Sequence, residues 1–157
     1  MFDLNSNGGT AAFAPEANDS LERLLEKTEG MLGYLAQNEG WLRKFRTGFV
    51  DERRAMWQGQ AELLRRARTH SALAMDARLE SQRVWAEEMR LTALVVVTMC
   101  VHLRSEPARM AFAGPGGPEL LAELTEKMET SRPEALRLMA ADELAALRKD
   151  GFLRAGE

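Results

Sequence analysis

Seven residues spaced one heptad apart constrain this chain more than any other feature: Leu21, Thr28, Leu35, Leu42, Phe49, Met56 and Leu63. Six of them are apolar, and the spacing keeps all seven on one stripe of an α-helix. A continuous helix over that stretch would run for about 63 Å. Such a helix cannot bury its stripe alone, so the pattern predicts packing against other helices. The stripe is also too wide for a strict two-stranded seam. Leu24, Met31 and Phe45 widen it in the first half, with Leu25 and Leu32 on the other flank, and Val50, Trp57 and Leu64 widen it in the second. The flank that would complete a dimeric coiled coil carries Glu39, Arg46, Arg53 and Gln60, which argues for a bundle face instead.

Local signals divide the rest of the chain. Residues 1–18 are small and polar and read as a flexible N-terminal arm, with Phe2, Leu4 and Phe13 as docking residues if it binds a partner. Asp19 is the expected N-cap of the first helix, with Glu22 completing a capping-box variant. Glycines at 30, 33, 40, 48 and 59 each cost a helix interior about 1 kcal/mol relative to alanine. Asn38-Glu39-Gly40 is therefore the expected helix end. The register fails again near Asp76–Arg83, which points to a turn near Thr69-His70-Ser71, a kink or a change of packing partner. It resumes on Trp85, Met89, Val96, Met99 and Leu103.

Leu91–Leu103 carries no formal charge and is apolar on nearly every face. A bilayer crossing needs about 20 such residues, so a buried central helix is the reading. Pro107 and the run Gly114-Pro115-Gly116-Gly117-Pro118 end it in a loop. Leu120, Leu121, Leu124 and Met128 then mark a short helix ending before Ser131-Arg132-Pro133, and Leu136, Met139, Leu144 and Leu147 mark a last one, stopped by Gly151. The expected fold is all-α: an elongated helical bundle, or coiled-coil-like long helices, followed by a short C-terminal helical hairpin. The corresponding divisions are 1–18 for the arm, 19–112 for the long-helix assembly region and 113–157 for the hairpin.

Chemistry-bearing residues are sparse. Cys100 stands alone, so no intramolecular disulfide forms and a reducing compartment fits. The first residues lack a basic stretch followed by an apolar one, so no secretory leader is expected and the cytoplasm is the default. His70 and His102 sit outside any Glu-x-x-His pattern, and no HExxH, CxxC, phosphate-binding loop or GxGxxG occurs. No metal, cofactor or enzymatic role is expected from these residues, and Cys100 reads as a small buried hydrophobe.

The stretch 41–70 places Arg43, Lys44, Arg46, Arg53, Arg54, Arg65, Arg66 and Arg68 against three acidic residues, with Trp41, Phe45 and Trp57 interleaved. Arginine grips phosphates and stacks on bases, so a nucleic-acid face is one reading. The other is a solvated face whose charge is answered by acids elsewhere. The whole chain has 21 Lys and Arg against 24 Asp and Glu, a net −3, which favours the second. The function expected is a non-enzymatic interaction or scaffolding subunit. It would assemble with itself or with another helical protein through Leu21, Leu35, Leu42, Phe49, Met56, Trp57 and Leu63. A nucleic-acid-binding accessory protein, or a surface-active protein acting through 84–103, are the alternatives; membrane binding is not favoured.

Overall fold

In the computed structural model, residues 10–45 and 47–157 are described, with side chains outside 40–49. Six α-helices and no strand occur among the described residues: α1 (Leu21–Phe45), α2 (Thr47–Thr69), α3 (Ala74–His102), α4 (Glu106–Ala111), α5 (Gly117–Arg137) and α6 (Ala141–Lys149). The fold is an all-α helical bundle. By contact it forms two compact units, 10–88 and 89–157 among the described residues, with the division inside α3.

The first unit is three helices that run up, down and up. Arg65 pairs with Glu29 and Arg54 with Glu39, so α1 and α2 are antiparallel. Gln60 bonds Ser81, and Arg53 pairs with Glu88, so α2 and the start of α3 are antiparallel too. Leu24, Leu25, Ala61, Leu64, Ala67 and Ala77 form one cluster across all three. The heptad stripe is thus split between two helices that lie back to back, and no single long helix carries it. Helix α1 runs through Asn38-Glu39-Gly40 and ends at Phe45, where a break near Gly40 was expected. The glycine penalty is about 1 kcal/mol, small beside the apolar burial that holds α1 on α2.

The start of α1 also differs from expectation. Ser20, not Asp19, is the N-cap: its Oγ accepts from the Arg23 amide at 3.0 Å. Asp19 accepts instead from Lys27 Nζ at 2.6 Å and from the Glu16 amide at 2.8 Å. Lys27 also donates to the Ala14 carbonyl at 2.8 Å. These bonds tie 14–19 to the first helix, so the part of the expected arm that is described is docked. Gly30 makes room for it. A Cβ there would lie 2.3 Å from the Phe13 ring, so only glycine lets that ring rest on α1. Residues 1–9 of the arm, with Phe2 and Leu4, lie outside the described residues.

The second unit is built on the apolar stretch 91–103. Ala93, Val96, Val97, Cys100 and Leu103 are buried against Met128, Ala135, Met139 and Leu147 of the C-terminal helices. No helix among the described residues is long and apolar enough to cross a membrane. A short helix, α4, follows α3, with Ser105 as its N-cap and Pro107 in its first turn. Helix α5 runs straight through Ser131-Arg132-Pro133, where a helix end was expected. Proline in a helix interior costs about 3 kcal/mol. The anchors that offset it lie on both sides: Arg132 is bonded into the core, and Ala135 and Met139 are buried beyond it.

Candidate interaction site

Helix α2 buries Val50, Arg53, Trp57, Gln60, Leu64 and Ala67, a run alternating steps of three and four. That alternation is the seam of a helix packed on neighbours. Two of its members are polar, and each meets an answering group on α3. Arg53 is paired with Glu88 through Nη2, and its Nε donates to Glu88 Oε2 at 2.9 Å. Trp57 Nε1 donates to the same oxygen at 3.1 Å, and its ring meets Trp85 edge-on with centroids 6.4 Å apart. Gln60 Nε2 donates to Ser81 Oγ at 2.6 Å and to the Ala77 carbonyl at 3.1 Å.

Arg53 and Glu88 are 1% and 0% exposed, so the pair is fully desolvated. Burial pulls the Arg53 guanidinium down to about 10, still far above neutral pH, so Arg53 stays a cation. A buried ion pair adds little net stability over an apolar one, but it tolerates only one alignment of two helices. Any other register of α2 on α3 would leave these buried polar groups without their partners, at a cost.

This arrangement settles where the expected site residues lie. Leu35 and Trp57 are enclosed by the first unit's own helices, at 0% and 3% exposure. Leu21 and Leu63 pack at the edge of the core, and Met56 is half-buried. The side chains of Leu42 and Phe49 are outside those described. Among the arginines, Arg53 is inside the core. Arg54 is paired with Glu39 at 3.1 Å and Asp51 at 3.8 Å, and Arg65 with Glu29 at 3.2 Å. Arg66 and Arg68 are exposed in the last turn of α2, where a cation complements the helix dipole. Arg46 and the side chains of Arg43 and Lys44 are outside what is described.

An apolar surface forms elsewhere, in the second unit. Helices α4 and α5 meet at a tight corner, because a Cβ on Gly117 would lie 2.0 Å from the Phe112 carbonyl oxygen. Glycine there lets the start of α5 press on the end of α4. The corner leaves an open groove of about 1020 Å³ walled by Leu103, Phe112, Ala113, Pro118, Leu121 and Ala122. Arg104, Arg109, Glu126 and Glu129 edge it. Met110 on α4 and Leu120 on α5 protrude nearby, 72% and 48% exposed. Sequence periodicity alone misses this surface, since it depends on the corner; the Gly-Gly-Pro run at 116–118 was its only local trace. No group of three or more His, Cys, Asp or Glu side chains among the described residues is placed to hold a metal ion. Compared with known proteins, the chain matches no family model, no curated protein and no solved structure.

Proposed function

We propose that this chain is a non-enzymatic helical interaction subunit that assembles with a second copy of itself through the groove between α4 and α5. One observation carries the reading: exposed apolar knobs, Met110 and Leu120, sit beside an apolar groove on the same unit. A two-fold contact requires this self-complementarity, since each copy must offer the surface that the other receives. A helix face laid into an apolar groove is a common recognition mode, and the mixed charges at the rim would set its direction. The heptad stripe serves the subunit's own bundle in this account, and the groove serves the partner.

Light scattering tests it. The full chain should show a mass above the 17.6 kDa of one copy at micromolar concentration. Met110→Asp should return it to that mass with helix content unchanged, because the residue is exposed in the single copy and buried only in the assembly. Burying a methionine is worth about 1.5–3 kcal/mol, so the variant's dissociation constant should rise by at least about tenfold. A wild type that stays at one-copy mass refutes assembly, and a variant that assembles as well as wild type refutes the groove.

A further inference from the structure

A smaller cavity of about 210 Å³ lies in the second unit, beneath the segment that follows α6. Arg104, Arg132 and Arg154 line it together with Cys100, Val101 and Phe152, and no carboxylate is among its lining residues. We propose that this cavity binds a small oxyanion of the phosphate class.

Arg132 is the fixed member. Its side chain is 3% exposed, and every donor edge is held: Nε and Nη2 by the Glu157 carboxylate at 2.9 and 2.8 Å, Nη2 also by the Phe152 carbonyl at 2.7 Å, and Nη1 by the Val97 carbonyl at 3.3 Å. It supplies a positive potential that cannot swing away. Arg104 and Arg154 are the adaptable members, 60% and 49% exposed. Both reach one oxygen, Oε1 of Glu129, at 3.1 and 2.6 Å. Each guanidinium carries five N–H donors in a planar fork, more than one shared carboxylate can take. A fourth, Arg148, donates to the Glu157 backbone oxygen at 2.6 Å.

The charges favour an anion. The three lining guanidiniums are bonded to two carboxylates, those of Glu129 and Glu157, which leaves positive charge in excess, and Arg148 stands beside them on a backbone oxygen. A phosphate group is negative at neutral pH and answers that excess. Its oxygens also suit bidentate guanidinium contacts, which are shorter and stronger than neutral ones.

Isothermal titration of the full chain with inorganic phosphate tests the site. Saturable binding of one phosphate per chain is expected, together with a loss of at least about tenfold in affinity in Arg104→Gln and in Arg154→Gln. Both side chains are half-exposed, so helix content should not change. Arg23→Gln, whose guanidinium pairs with Glu26 on the surface of the other unit, should bind like wild type. Absence of saturable binding up to about 10 mM phosphate, or unchanged affinity in both cavity variants, overturns the proposal. Acetate that binds as tightly as phosphate also overturns it, since the cavity would then be a carboxylate site.

Discussion

Replacing Arg53 with alanine should destabilise the protein far more than any surface change of the same size. The substitution removes the cation from Glu88, which is 0% exposed, and leaves the Trp57 indole N–H as its donor among the described side chains. Removing one partner of a buried pair costs about 3–5 kcal/mol, because the remaining charge stays desolvated. Against a typical total of about 5–15 kcal/mol, that is a third or more of the stability. Urea unfolding followed by tryptophan fluorescence reads the effect directly, since Trp57 and Trp85 flank the pair. The double variant Arg53→Met with Glu88→Leu should recover the loss to within about 1 kcal/mol, because two apolar side chains need no solvation. A single-variant cost below about 1 kcal/mol, the level of an exposed pair, would refute the reasoning. So would a double variant no better than the single one.

Glu157 offers a pH test. The Arg132 guanidinium holds its carboxyl down at about 2, from 4.5 in the unfolded chain. A carboxyl held low favours folding above 4.5, and that contribution is lost as pH falls through 4.5 toward 2. The urea midpoint should therefore drop over that window, and less so in Glu157→Gln; an equal drop in both would remove Glu157 as the cause. Pro133 is exposed inside α5, so Pro133→Ala should raise stability by about 1–3 kcal/mol, measured by urea unfolding, and an unchanged midpoint would contradict the strain argument. Burial pushes the Cys100 thiol up, so it should resist Ellman's reagent at about pH 8 until the protein unfolds; fast reaction in the folded state would contradict its place in the core.

Helical character was legible because it rests on local spacing, and so was the burial of most of 91–103, although Val101 and His102 near its end are exposed. Two breaks were misplaced for a common reason. Gly40 and Pro133 are local helix breakers, yet each sits in a helix held by packing from residues distant in sequence. Arg53 and Gln60 were read as a flank because a charge at a seam position looks solvated until its partner is known. Glu88 lies 35 residues away, on another helix, and no spacing rule connects them. The alternation Val50, Arg53, Trp57, Gln60, Leu64 was nonetheless present and would have placed both inside. The groove at α4 and α5 was illegible in principle, since a six-residue helix has too few turns to show a period.

A photo-crosslink between copies tests the central claim most directly. A benzophenone carried on Met110→Cys keeps the position apolar, and the buried Cys100 does not compete for the label. In an equal mixture of isotope-labelled and unlabelled chains, crosslinks between the two should map to the groove residues Leu103, Phe112, Pro118 and Leu121. Crosslinks that join copies at Met56 and Leu63 instead would place the interface on the heptad stripe, and none between copies would contradict self-assembly through this surface.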